Sequence, residues 1–108
     1  MALDTILGWP HNPTMKTSAV LLYREKRTHA GGIIEMVVWW VPEPIPPSEH
    51  PFKYRLVFVR NGNRVVGYDN ERGKGDHKHV GNAEQPYAFI DELRLLKDFW
   101  QDVKEETK

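Results

Sequence analysis

The stretch KYRLVFVRNGNRVVGYDN, residues 53–70, decides the fold because it predicts a β-hairpin from local signals alone. Two runs rich in β-branched and aromatic residues flank Asn61-Gly62, which is a preferred type I′ turn because both central residues need a positive φ. Side chains of the first run alternate between two faces, with Tyr54, Leu56 and Phe58 on one face and Val57 and Val59 on the other. We therefore expect the hairpin to lie inside a larger antiparallel sheet.

Two further strands are predicted before the hairpin. Residues 18–29 (SAVLLYREKRTH) alternate at first and then become polar, and residues 30–32 (AGG) supply a flexible turn. Residues 33–42 (IIEMVVWWVP) carry apolar side chains on both faces, which is typical of a central strand or of a strand at an interface. Residues 42–51 hold five prolines and are predicted to be a stiff, extended connection, since proline lacks an amide donor.

The end of the chain predicts a short strand at residues 84–90 and an amphipathic helix at residues 91–108, with Asp91 as its N-cap. The apolar stripe of this helix consists of Leu93, Leu96, Trp100 and Val103, widened by Leu95 and Phe99. The predicted fold class is therefore α+β: a small antiparallel β-sheet of four to five strands packed by one C-terminal α-helix. One helix covers only one face, so we expect a partner protein or a second copy of the chain to cover the other, and we predict a homodimer.

Composition limits the function classes. The 108 residues suit one domain, and residues 1–15 read as an N-terminal extension of an α+β domain at residues 16–108. Lys+Arg and Asp+Glu both number 15, so a generally basic surface for nucleic acid is absent. Cysteine is absent too, which excludes thiolate chemistry and favours a reducing cytoplasm. No secretion signal and no membrane span are predicted.

The segment Gly73 to His79 (GKGDHKH) follows the hairpin and gathers the residues best suited to chemistry. It does not match a P-loop, because Gly75 stands where Ser or Thr should follow the lysine. A backbone nest of Gly73 and Gly75 can still hold a phosphate oxygen. The plainest alternative is a solvated turn, since loops gather these residue types for conformational reasons alone.

A metal site is a second alternative for this segment. His77 and His79 are two residues apart on an extended segment and so point to the same side, with Asp69 or Asp76 as a third ligand. Zinc needs three or four protein ligands. A His-x-His pair alone is a weak signal, so neither a metal ion nor another cofactor is assigned.

Acid–base cleavage of an RNA phosphodiester is the third alternative and the leading hypothesis. Such cleavage needs a base for the 2′-hydroxyl, an acid for the leaving oxygen and cations on the developing charge, and histidine titrates near neutrality. We assign the catalytic roles to His77, His79, Lys74 and Asp76. The predicted substrate-binding residues are Arg72, Lys78, Gly73, Gly75, Asp69, Glu71 and Tyr87, although a place in the core is the alternative for Tyr87.

Three segments resemble the TumE-type toxins of prokaryotic toxin–antitoxin systems across about residues 16–104. The strongest marks are Tyr68-Asp69-Asn70-Glu71, the segment Gly73 to His79, Pro86-Tyr87 and Asp98-Phe99. The resemblance implies a cognate antitoxin as partner, commonly a helix-turn-helix protein, and action on RNA or its translation. It supplies no catalytic set and leaves the mechanism open.

The function hypothesis is therefore a toxin-like component that acts as a metal-independent endoribonuclease through the Lys/His segment. The alternative is a non-catalytic module that binds nucleic acid or protein through the sheet and Trp39-Trp40, which place one indole on each face of a strand. Metal-dependent hydrolysis of a nucleotide or phosphate is a third hypothesis. All enzymatic hypotheses require that the imidazole and ammonium groups converge on one accessible cavity.

Overall fold

The computed structural model describes residues 18–108. In this range the chain forms six antiparallel strands in sequential order and then one α-helix. The elements are β1 (Val20–His29), β2 (Gly32–Trp40), β3 (Phe52–Arg60), β4 (Asn63–Glu71), β5 (Gly75–Val80), β6 (Ala83–Pro86) and α1 (Glu92–Glu106). The helix of this range lacks the length and apolar character that crossing a membrane requires.

The predicted α+β class is confirmed, but the predicted strand count of four to five is wrong because the sheet has six. The error lies in the Lys/His segment, which was read as a loop and forms strand β5. Gly73 and Gly75 have φ angles of 84° and 81°, and these left-handed conformations let the chain turn back tightly onto β4. The predicted extension, residues 1–15, lies outside the described residues, and the boundary at residue 16 stays a prediction.

The predicted hairpin of β3 and β4 is present, and it contains a bulge that affects one face of the sheet. Asn61 and Gly62 have the positive φ angles that a type I′ turn needs. Val59 then pairs with Arg64, whereas Phe58 pairs with Val66, so the register shifts by one residue. Because alternation has a period of two, this shift brings Arg64 to the same face as Gly67.

The main core lies between the sheet and α1. Its fully buried residues are Ile34, Met36, Val38, Tyr54, Leu56, Phe58, Val66, Tyr68, Leu95, Phe99 and Val103. Asp91 caps the helix as predicted, since its Oδ1 accepts a hydrogen bond of 2.7 Å from the Arg94 amide. The predicted stripe is wrong at Leu93, which is 76% exposed. The helix is rotated so that Leu95, Phe99 and Val103 face the sheet.

The face of the sheet without the helix, called the helix-free face below, is partly covered by the proline-rich connection. Val41 and Ile45 pack against Trp39, whose exposed fraction is only 8%. The Val41 amide donates a hydrogen bond of 2.8 Å to the Pro51 carbonyl, which closes the connection into a loop over β2. The chain itself therefore buries part of the second apolar face of β2.

We predict that Phe99→Ala lowers the free energy of unfolding by about 3–5 kcal/mol, because it removes a fully buried ring between α1 and the sheet. Leu93→Ala is the matched control on the same helix and should cost less than about 0.5 kcal/mol. Urea unfolding followed by tryptophan fluorescence measures both values. Equal losses for the two variants would contradict the observed orientation of the helix.

Candidate functional site

Strand β5 divides the predicted site between the two faces of the sheet. His77 pairs directly with Asp69 of β4, and His79 pairs with Gly67, so both imidazoles lie on the helix-free face. The alternating side chains, Asp76 and Lys78, point to the helix side. The structure therefore brings together only part of the predicted catalytic set.

The ring of His77 is buried and both of its nitrogens face acceptor oxygens. Nδ1 lies 2.9 Å from the Gly75 carbonyl oxygen, which only accepts, so Nδ1 carries a proton. Nε2 lies 2.5 Å from Oδ1 of Asp69. A neutral ring has a single N–H, so the second acceptor is satisfied only if Nε2 is protonated as well or binds a cation.

Glu84 of β6 brings the other charged groups of the site together. Its Oε2 lies 3.2 Å from Nε2 of His79 and 3.8 Å from Nε2 of His77, and it also contacts Nζ of Lys74. The Lys74 ammonium holds the pKa of the Glu84 carboxyl below its ordinary value. One carboxylate oxygen therefore occupies a position surrounded by two imidazoles and an ammonium group.

Two arginines extend the positive potential along the helix-free face. Arg55 pairs with Asp69 across the β3–β4 ladder. Arg64 lies over Gly67, where an added Cβ would stand 2.8 Å from its Cδ, so the glycine leaves room for the arginine beside His79. Burial lowers the pKa of His79 below its ordinary value, and the Arg64 guanidinium lowers it further. A neutral His79 is therefore favoured near pH 7.

Two concavities open beside these groups. One of about 180 Å³ is lined by Lys74, Asp76, His77, Glu84, Gln85 and Pro86. A crevice of about 10 Å³ on the other side of the imidazoles includes Arg55, Arg64, Gly67, Asp69 and His79 in its lining. The larger concavity is below the ~300 Å³ at which small-molecule pockets begin, so it suits one phosphate group better than a whole nucleotide.

Asp76 lies on the helix side and is fully engaged there. Its carboxylate accepts hydrogen bonds from Ser48 Oγ, from Tyr54 Oη at 2.7 Å and from His50 Nε2 at 2.6 Å. The ring of His50 stacks on Phe89 with centroids 3.7 Å apart. The predicted catalytic Asp76 is thus placed as an anchor that ties β5 to the proline-rich connection.

Lys78 and Tyr87 also lie on the helix side, and both reach α1. Lys78 Nζ lies 3.0 Å from Oδ2 of Asp102, which also accepts a hydrogen bond from the hydroxyl of Tyr68. Tyr87 Oη donates a hydrogen bond of 2.7 Å to Oδ2 of Asp98. The structure therefore keeps these two predicted substrate-binding residues apart from the histidines.

The turn between β4 and β5 holds the remaining candidates. Glu71 and Arg72 are exposed there. The Gly73 amide donates a hydrogen bond of 2.8 Å to the Pro46 carbonyl, and Gly75 packs on the Pro47 ring. The amide needed for a phosphate nest at Gly73 is thus already paired within the chain.

Asp69, His77 and His79 are the three residues with a metal-binding arrangement in the range 18–108. Each offers one ligand atom, and the three atoms lie within 4.8 Å of one another. Arg55, Arg64 and Glu84 are functional candidates that the sequence analysis missed. Arg55 lies two residues before Val57 on β3, so the alternation of side chains along the strand predicts that both lie on the same face.

Comparison with known proteins gives one match. A protein-family model described as Toxin TumE matches residues 12–107. No curated protein and no solved structure matches the chain.

We predict that Asp76→Asn lowers the free energy of unfolding by about 1.5–3 kcal/mol at pH 7, because three hydrogen bonds to a partly buried carboxylate are lost or weakened. Burial raises the pKa of Asp76, but the hydrogen bonds from His50, Ser48 and Tyr54 outweigh it and hold the pKa below its ordinary value. The native carboxylate therefore contributes stability above about pH 4, and that contribution is lost as the pH falls through the lower folded pKa.

Urea unfolding of the native chain and of the variant at pH 7 and near pH 3 measures this contribution. The difference in free energy of unfolding between the native chain and Asp76→Asn should be smaller at the lower pH. Ser48→Ala is the graded control, because it removes one of the three donors and should cost about 1 kcal/mol. If this difference in free energy of unfolding is unchanged or larger at the lower pH, the result would contradict the anchoring role of Asp76.

Proposed function

Because the chain belongs to the TumE toxin family, we propose that this toxin-like component of a toxin–antitoxin system is a metal-independent endoribonuclease. The proposed active groups are His77 and His79 on the helix-free face. A single observation carries the proposal: an anionic oxygen, that of Glu84, is already bound between the two imidazoles and the Lys74 ammonium.

The position of this oxygen suits a scissile phosphate. A phosphoryl oxygen of RNA carries the same charge as the carboxylate and can accept from the Lys74 ammonium and from Nε2 of His77 in its place. Glu84 lies on the short strand β6 with a side chain that is 39% exposed, so it has room to move away when RNA arrives. His77 lines the larger concavity and His79 lines the small crevice, so in this proposal the RNA approaches the two rings from either side of Glu84.

The chemistry divides between the two histidines according to their environments. His79, whose lowered pKa favours the neutral ring, takes the proton from a 2′-hydroxyl. The 2′-oxygen then attacks phosphorus, and the 5′-oxygen leaves with a proton from Nε2 of His77. Asp69 orients that ring, because its Oδ1 lies 2.5 Å from Nε2 of His77. The products are a 2′,3′-cyclic phosphate and a 5′-hydroxyl end, so no oxidant, reductant or metal is consumed.

Cations around the histidines stabilise the charge that develops on the phosphoryl oxygens. Lys74 lies nearest, and Arg55 and Arg64 flank the other side. Arg72 at the exposed turn is a further contact for the RNA backbone in this proposal. Asp76 and Lys78 act indirectly, since they hold β5 in place from the helix side.

Membership of the family implies an antitoxin partner in general. We propose that this partner is a helix-turn-helix protein and that the pair acts in the cytoplasm, where messenger RNA is the substrate. The homodimer also stays a proposal. Val20, Leu21 and Leu22 remain exposed at the start of the edge strand β1 and are candidate contacts for a second copy.

We predict that His79→Ala and His77→Ala each slow the cleavage of a random-sequence single-stranded RNA pool about 100-fold or more, with chelator present throughout. Lys97→Ala is the control, because Lys97 is exposed on α1 on the other side of the sheet, and it should retain the native rate. The measurement is the rate of fragment formation, with analysis of the fragment ends.

Two further results would decide against this proposal. An RNA with 2′-deoxy substitution at every position should resist cleavage, so its cleavage would exclude attack by the 2′-oxygen. Absence of cleavage by the native chain, together with RNA binding that weakens as salt rises, would instead support the non-catalytic nucleic-acid-binding alternative.

We predict that Glu84→Gln lowers the KM for RNA severalfold, because it removes the anion that competes with the phosphate for the two imidazoles and Lys74. Glu71→Gln is the control, since Glu71 is an exposed acid on the same face at the end of β4, two strands away from Glu84. Steady-state kinetics at fixed salt measure both. An unchanged or higher KM for Glu84→Gln would show that the RNA phosphate does not bind where the Glu84 carboxylate lies.

A further inference from the structure

We propose that Asp69, His77 and His79 form a binding site for a first-row transition-metal cation such as Zn²⁺, which blocks the same imidazoles that the proposed ribonuclease uses. The binding itself is independent of the catalytic proposal. Only the inhibitory consequence rests on it.

The ligand atoms have suitable chemistry and spacing. Two imidazole nitrogens and one carboxylate oxygen lie within 4.8 Å of one another. Ligands at ~2.0–2.1 Å from a tetrahedral zinc ion lie ~3.3 Å apart. The 2.5 Å approach between Asp69 and His77 therefore has to widen, and separations of up to 4.8 Å within the cluster have to close when the ion binds. Glu84, 3.2 Å from Nε2 of His79, is a fourth donor within reach.

The orientation of His77 fits that of a metal ligand. Its Nδ1 proton is directed at the Gly75 carbonyl 2.9 Å away, which leaves Nε2 to face the cluster. Histidines that bind metals usually donate the other ring N–H to a carbonyl or carboxylate in this way, and the bond fixes the tautomer. The backbone turn at Gly75 therefore presents the correct nitrogen without further rearrangement.

Asp69 supplies a second and independent indication. Its Oδ1 is buried, and no donor of residues 18–108 forms a well-aligned hydrogen bond with it, although Nε2 of His77 is close. A buried acceptor without a partner costs free energy, about 1–3 kcal/mol. A bound cation would satisfy this oxygen and would remove the conflict between it and the lone pair of a neutral Nε2.

The donor set selects the class of ion. Imidazole suits zinc, copper, nickel and cobalt, whereas magnesium and calcium prefer oxygen ligands alone. The positive charges of Arg55, Arg64 and Lys74 nearby oppose a cation, so we expect affinity to come from coordination rather than from the surrounding field. Zinc is the ion for which three protein ligands and one open position form a familiar arrangement.

The consequence for the proposed ribonuclease is inhibition. The metal would use Nε2 of both His77 and His79, and these are the atoms that hold and accept protons in the cleavage mechanism. A ring whose Nε2 is coordinated can neither take the 2′-hydroxyl proton nor donate one to the leaving oxygen. Zinc should therefore stop cleavage, and chelator should restore it.

The test is titration of the tag-free, chelator-treated and desalted full chain with Zn²⁺ alone by isothermal calorimetry, with Co²⁺ absorption as a report on coordination. We expect one ion per chain and a Zn²⁺-dependent rise in the melting temperature, with no response to Mg²⁺. Asp69→Asn and His79→Asn should each weaken binding by at least tenfold. His29→Asn is the control, since its ring packs on Phe58 and Trp100 away from the cluster.

Folding of each variant is checked by circular dichroism, and His79→Asn, the less buried position, remains informative if Asp69→Asn unfolds. Absence of stoichiometric binding by the native chain would overturn the site. Unweakened binding in folded His79→Asn would overturn it as well, because the ion would then lie elsewhere.

Cleavage assays with zinc separate this inference from the proposed function. Zinc binding without any effect on RNA cleavage would leave the metal site in place and exclude the two histidines as the catalytic pair. Faster cleavage with zinc would overturn both the inhibition and the metal-independent mechanism. Cleavage without zinc binding would remove the site alone.

Discussion

The alternation of side chains along β5 is the constraint on which the rest of the structure depends. Successive side chains of a strand point to opposite faces, so His77 and His79 must lie together and Asp76 and Lys78 must lie behind them. A shift of one residue in the pairing with β4 would exchange the two sets. The histidines would then meet the helix, and the charged anchors would meet water. All the chemistry proposed for the helix-free face therefore rests on this register.

Polar anchors on the helix side hold that register. Asp76 receives two hydrogen bonds that join β5 to the connection between β2 and β3 and a third from Tyr54 of β3, and Lys78 is bound to Asp102 of α1. Each anchor is adjacent in sequence to a histidine on the opposite face. Fixing the anchor also limits the motion of the neighbouring imidazole, so residues far from any substrate contribute to the precision of the site. Asp76 and Lys78 therefore have structural roles, although the sequence alone predicts that they take part in catalysis or substrate binding.

The sequence predicted the elements that depend on local signals and missed those that depend on pairing. The Asn61-Gly62 turn and the Asp91 cap are local, and both were found. The segment Gly75–Val80 is too polar to read as a strand, and its conformation comes from pairing with β4 and β6 on both sides. The position of Arg55 shows the same limit. If the strands paired regularly from the Asn61-Gly62 turn, Arg55 would lie opposite Tyr68. The bulge near Val65 shifts the register, so Arg55 pairs with Asp69 instead.

The same geometry makes the site sensitive to the charge of what enters it. Nε2 of each imidazole and the Lys74 ammonium lie around one anionic oxygen, that of Glu84. With neutral rings, Nε2 of each histidine and the Asp69 carboxylate become donors of lone pairs and attract a cation. These two states exclude each other because they use the same atoms in opposite protonation states. In our two proposals, β5 therefore offers the same imidazole nitrogens either to a phosphate or to a metal ion.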